Sequence, residues 1–76
     1  MVDPRAVRLA AGVTQVDLAD RLGWEQARVS RFERQGDWKL STLVDYLDAL
    51  GVRAELVLRL PNRKKITQAL NEGGGQ

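Results

Sequence analysis

Seventy-six residues make one small domain, without room for a second core. The chain has no cysteine and no histidine, which excludes disulfides and removes the usual metal ligands and the commonest general base, so neither metal nor cofactor is expected. Twelve Lys and Arg against ten Asp and Glu leave a net charge of +2, too mild in bulk to name a polyanionic partner.

Asp3-Pro4 opens the first predicted helix, with Asp at the cap and Pro at the first helical position, where its missing donor is not needed. This helix runs to about Ala11 and stops at Gly12, with Val7, Ala10 and Ala11 as its apolar face and Arg5 and Arg8 turned elsewhere. Thr14 caps a second helix, and Asp17, three residues on, adds a loose capping box and negative charge near the N-terminus. Leu18, Ala19 and Leu22 recur at helical spacing and predict a buried face, and Gly23 ends the helix in the left-handed conformation. Trp24, expected to pack over the core, and Glu25 lead into a third helix that reaches Gln35 and turns Val29 and Phe32 inward. Gly36-Asp37 breaks it. Ser41 or Thr42 is the expected cap of a fourth helix, whose Leu40, Leu43, Val44, Leu47 and Leu50 form an amphipathic stripe that Gly51 stops.

The period changes at Val52. From Arg53 to Leu60 the chain alternates, with Ala54, Leu56, Leu58 and Leu60 on one side, Arg53, Glu55 and Arg59 on the other, and Val57 as the exception. Period two ahead of Pro61-Asn62 predicts a strand and a turn. Lys64 to Thr67 can return as a second strand with Ile66 inward, or Ile66 to Leu70 can form a short helix; both readings stand. A lone hairpin is marginal in water, so the leucine face needs cover. Either the helices or a second copy pairing across a twofold axis can supply it, the latter also removing an exposed edge. Size argues the same way, because so small a domain buries only about 60% of its unfolded surface and has no disulfide or metal to staple it. A homodimer is expected, with Ala54, Leu56, Leu58 and Leu60 at its dimer or partner interface. The domain boundaries that follow are 1–51 for the helical part, 52–70 for the extension and 71–76 for a flexible tail.

Helices two and three, joined through Gly23, have the layout of a helix-turn-helix, in which the second helix lies in the major groove of duplex DNA. Val29 and Phe32 pin that helix to the core and leave positions 26, 27, 28 and 31 facing out. Gln26 can pair bidentately with adenine, Arg28 or Arg31 with guanine, and Ala27 can touch a thymine methyl. Gln15, at the start of the preceding helix, is placed to bond a phosphate beside free backbone donors. Thr14, Arg34 and Lys39 complete the expected phosphate contacts. Arg31 and Arg34 can alternatively pair locally with Glu33 or Asp37, at little gain. The carboxylates Asp17, Asp20, Asp45 and Asp48 lie without a nucleophile–base pair, so an enzyme is not expected.

Thr14-Gln15, Leu18-Ala19, Leu22-Gly23, Gln26, Val29-Ser30-Arg31 and Glu33, followed by Leu40-Ser41-Thr42-Leu43, resemble the XRE or Cro/CI family of helix-turn-helix regulators over residues 5 to 51. The resemblance implies a mainly α, compact, four-helix, lambda-repressor-like domain with a C-terminal strand or hairpin. It implies DNA-contact roles for Gln15, Gln26, Ala27, Arg28 and Arg31, and core roles for Leu18, Ala19, Val29, Phe32 and Leu43. Glu33-Arg34-Gln35-Gly36 is one residue longer than the family's usual stop, and AELVLRLPNRKK stands where fuller members add a fifth helix. A compact domain ending in GVRAELVLRLP is similar to the HigA-like and HipB-like antitoxins. That likeness implies a dimeric repressor of its own operon, bound to palindromic DNA, which also neutralises a small ribonuclease-like toxin. The partner face would then be Leu56, Leu58, Arg59 and Arg63 to Lys65, or the acidic face of Asp45, Asp48 and Glu55. A stand-alone phage-type or restriction-modification regulator is the alternative. No apolar run approaches the roughly 20 residues of a membrane span, and no secretory pattern opens the chain, so a cytoplasmic, nucleoid-associated protein is expected.

Overall fold

A computed structural model of the chain describes residues 2–72: four helices, α1 (Pro4–Ala10), α2 (Gln15–Leu22), α3 (Gln26–Arg34) and α4 (Leu40–Ala49), then strands β1 (Glu55–Arg59) and β2 (Lys65–Ala69). Local chemistry sets most of the boundaries. Asp3 accepts a bond from the Ala6 N–H, and Thr14 Oγ1 accepts from the Asp17 N–H at 3.1 Å, each satisfying a helix-start donor that has no partner of its own. Gly23 ends α2 at φ 71°, the left-handed region.

α4 begins two or three residues earlier than its Ser41 and Thr42 suggest. Lys39 is the cap and makes no side-chain bond, so Ser41 and Thr42 lie within the first turn. The reason is upstream: Trp38 Nε1 donates to the Phe32 carbonyl at 3.1 Å, which fixes the connection and delivers Lys39 in extended geometry. Leu40 is left 60% exposed, outside the buried stripe.

The core collects Val13, Leu18, Ala19, Val29, Phe32, Leu43, Tyr46, Leu47 and Leu50. α2 packs on both α3 and α4. Phe32 sits at the centre of an aromatic group, stacked on Tyr46 at 4.9 Å and flanked by Trp24 and Trp38, both at 5.9 Å. Trp24 packs over the core, as expected. On α1 the expected apolar face is corrected in part: Val7 packs against the core, but Ala10 and Ala11 are exposed, and the buried positions are Pro4 and Arg8.

Residues 65–69 form the second strand, not a short helix. β1 and β2 pair antiparallel in the register Glu55↔Ala69, Leu56↔Gln68, Val57↔Thr67, Leu58↔Ile66, Arg59↔Lys65. Opposed residues share a face, so Leu56, Leu58 and Ile66 lie on one side, while Glu55, Val57, Arg59, Lys65 and Thr67 lie on the other. Both strands are exposed along their whole length. The hairpin is tied to the helices at its base. Asn71, the first residue of the expected flexible tail, is buried. It donates to Asp48 Oδ1 (2.9 Å) and the Val52 carbonyl (2.8 Å) and accepts from the Ala54 N–H (3.0 Å). Positions 73–76 of that tail lie outside the described residues.

Candidate nucleic-acid interface

The turn between α2 and α3 is closed by Gly23 and by the Trp24 N–H donating to the Ala19 carbonyl at 2.9 Å. Val29 and Phe32 point into the core from α3, so Ala27 and Arg31 emerge on the opposite side with Gln26 and Arg28 on its flanks, and all four are exposed. The Arg28 guanidinium lies 4.0 Å over the Trp24 ring. That stacking is worth about 0.5–1 kcal/mol at an exposed site.

Gln26 does not stand alone. Its Nε2 donates to Gln15 Oε1 at 3.3 Å, and Gln15 Nε2 donates in turn to Glu33 Oε1 at 3.1 Å. Gln15 is therefore half-buried, bonded on one side to the scaffold and on the other to the exposed start of α3. Glu33 anchors this relay. Arg8 grips it with Nε at 2.6 Å and Nη2 at 3.2 Å, and Arg8 Nη1 also holds the Val13 carbonyl at 2.9 Å. Tyr46 Oη has one proton and two acceptors within reach, Glu33 Oε2 at 2.6 Å and the Pro4 carbonyl at 3.0 Å. The shorter, charge-assisted bond to Glu33 takes it.

The electrostatics follow from this geometry. Burial alone pushes the Glu33 carboxyl upward, but the bonds from Arg8, Tyr46 and Gln15 together hold it below the usual carboxylate range. The Glu33 bond in turn raises the Arg8 guanidinium. Burial, followed by the neighbouring carboxylate, pushes the Tyr46 hydroxyl far up, so it stays a donor. No buried side-chain nitrogen or oxygen among the described residues lacks a partner.

Thr14 uses its hydroxyl oxygen as an acceptor at the α2 cap and keeps its proton free to donate outward. Arg34 lies beside Arg5, Gln15, Ser30 and Glu33, along a shallow cleft of about 250 Å³. Lys39 lies instead on a cleft of about 480 Å³ shared with Trp24, Arg28, Arg31, Trp38 and Thr42. The expected phosphate contacts thus fall on two sides of α3. Neither Arg31 nor Arg34 pairs with Glu33 or Asp37; the ion pairs among the described residues are Arg8–Glu33 and Arg53–Glu55.

Of the four expected interface residues, Leu56, Leu58 and Leu60 are exposed at 42%, 42% and 37%, joined by Ile66 at 43%. Ala54 is half-buried against the helical core and does not belong with them. The joining of Arg8, Glu33 and Tyr46 is not legible in the spacing of the sequence. One signal was present: Glu33 lies four residues after Val29, on the buried face of α3, where a carboxylate needs a partner.

A helix-turn-helix domain family model matches residues 5–60. Two curated proteins named Antitoxin HigA1, from Mycobacterium tuberculosis strains CDC 1551 / Oshkosh and ATCC 25618 / H37Rv, are each 42% identical to the chain over 62 residues. The aligned part is 80% of this chain and 42% of each relative, so the chain spans less than half the length of the curated relatives it matches. No solved structure matches it.

Proposed function

The chain belongs to the helix-turn-helix domain family, and on that premise we propose that it is a sequence-specific DNA-binding repressor, acting as the antitoxin of a type II toxin–antitoxin pair. It binds its operator as a homodimer, represses its own operon and neutralises a small ribonuclease-like toxin. The observation that carries the DNA-binding part is the row Gln26, Ala27, Arg28 and Arg31, exposed on a helix whose opposite face is locked into the core. The likeness to proteins named Antitoxin HigA1 supports the antitoxin part.

In this reading Gln26, Ala27, Arg28 and Arg31 meet base edges, and Thr14, Gln15, Arg34 and Lys39 meet phosphates. Arg28 must leave Trp24 to reach a guanine. The balance favours the base, since a bidentate pair discriminates by about 1–3 kcal/mol and the ring contact holds about 0.5–1. The relay from Glu33 through Gln15 sets the direction of the Gln26 amide, so its hydrogen-bonding pattern is fixed before DNA arrives. Leu56, Leu58, Leu60 and Ile66 supply the apolar surface for a second copy. The protein works in the cytoplasm on the nucleoid, and no described helix is long and apolar enough to cross a membrane.

Selection of bound duplexes from a random pool tests the reading. The expected product is a palindrome with half-site centres about one helical turn, 34–36 Å, apart. Recovery of unrelated sequences without a shared half-site would remove sequence-specific binding. Co-purification with the product of the adjacent gene tests the toxin; if no neighbour binds, the antitoxin role is lost and a stand-alone regulator remains.

A further inference from the structure

The positive excess of this chain is located in the hairpin. Residues 55–69 contain Arg59, Arg63, Lys64 and Lys65 against one acid, Glu55, while the rest of the chain has more acids than bases. We infer that the basic end of the hairpin is a second DNA-contacting surface, a prong that grips the phosphodiester backbone beyond the bases read by α3. The inference rests on the DNA-binding reading above.

Two structural features point to an anionic occupant. Arg59 and Lys65 are directly opposite each other in the ladder and share a face. Like charges so placed destabilise a hairpin, and a phosphate between them turns the repulsion into a clamp. The turn supplies the second feature. Arg63 N–H donates to the Leu60 carbonyl at 3.1 Å, the Leu60 N–H donates to the Lys64 carbonyl at 2.8 Å, and the Lys64 N–H donates to Asn62 Oδ1 at 3.2 Å. This tight loop requires a left-handed residue after Pro61-Asn62, a position where glycine is the easy choice. Arg63 occupies it at φ 71°, the one non-glycine positive φ among the described residues. A cation stands where it strains the backbone, and the strain is explained if its charge is used.

Reach and rigidity fit a duplex. A five-residue strand extends about 17 Å from its base, and Asn71 fixes that base to α4 and to the Val52–Ala54 backbone. DNA presents about one negative charge per 1.7 Å of axis, so four cations at one end of the hairpin have phosphates within their spacing. The apolar side, with Leu56, Leu58 and Ile66, faces away from Arg59 and Lys65 and stays available for self-association.

The test uses the full chain and a mixed-sequence duplex of roughly 30 base pairs, titrated across salt concentrations by fluorescence anisotropy. Combined Arg59→Gln, Arg63→Gly, Lys64→Gln and Lys65→Gln changes are expected to weaken binding at low salt by at least about tenfold. They should also make the log K against log salt slope shallower by about three to four per protomer. The single change Arg63→Gly is the internal control for folding: it should raise the melting temperature by relieving the backbone yet weaken binding. An unchanged salt slope in the combined variant, or an Arg63→Gly protein that binds as well as the parent, overturns the hairpin contact. A parent chain with no affinity for the duplex overturns the DNA-binding reading as well.

Discussion

Arg8 and Glu33, 25 positions apart in the chain, form a bidentate ion pair whose side chains are only 7% and 2% exposed. Removing one partner of such a pair strands a buried charge, at about 3–5 kcal/mol. A domain of this size has on the order of 4–11 kcal/mol in total. Glu33→Ala and Arg8→Ala are therefore each expected to shift the urea midpoint by a large fraction of its value. The double change to similar-sized apolar residues, Arg8→Met with Glu33→Leu, should cost less than either single change. Equal or greater loss in the double variant would show that the pair itself is not the source.

The same pair gives a pH dependence. The folded Glu33 carboxyl lies below its unfolded value of about 4.3, so its contribution is present above that pH and is lost as pH falls through the folded value. The melting temperature should drop as acid passes below about pH 4. Glu33→Gln should flatten that part of the curve while lowering stability at neutral pH, as thermal scans across pH would register.

Arg31→Ala is expected to relax the choice of base at one position of each half-site by about 1–3 kcal/mol. Gln15→Ala should weaken every duplex more evenly and also reduce stability, since Gln15 bonds Glu33. Repeating the duplex selection with each variant separates the two; an Arg31→Ala protein with undiminished base preference would move the reading surface elsewhere.

Asn71→Ala removes three hydrogen bonds at the base of the hairpin. It leaves the Ala54 N–H and the Val52 carbonyl without this partner, and a loss of about 1–3 kcal/mol follows for each such group kept from water. Amide exchange should accelerate in 55–69 while α2 and α4 stay protected. Uniform acceleration through the whole chain would mean that hairpin and helices unfold as one.

Leu56→Glu with Leu58→Glu places charges on the exposed apolar side of the hairpin without entering the core. Sedimentation should show a monomer with an unchanged helical circular dichroism spectrum. A persistent dimer would locate self-association on another surface.

The helices and the first strand are legible because apolar residues at period three-to-four and then at period two report which side of a backbone is dry, whereas Lys65–Ala69 carries too few apolar residues to separate strand from helix. Val29 with Phe32, and Leu18 with Ala19, carried enough information to orient α3. Arg8 reads as a solvent-facing charge, because a charge on a short helix normally faces water, and its partner Glu33 stands 25 residues away. Tyr46 fell between the leucines of α4, and its burial depends on Phe32 stacking from another helix. The start of α4 is decided by the indole of Trp38, a contact that local cap chemistry does not encode. Asn71 stood in a polar ending that reads as tail, yet its amide completes three contacts set by distant backbone. Long-range polar bonds have no period, so a sequence pattern does not display them.

Gln15 bonds one neighbour that belongs to the architecture and one that faces outward. Under the proposed DNA-binding function, changing the preferred duplex sequence is therefore uneven work. Arg31 and Ala27 can be exchanged with little consequence for folding, whereas a new residue at 26 inherits an orientation dictated from inside. Libraries that vary position 26 while keeping Gln15 will sample amide-compatible side chains best, and varying both together opens the remaining alphabet at the expense of the scaffold.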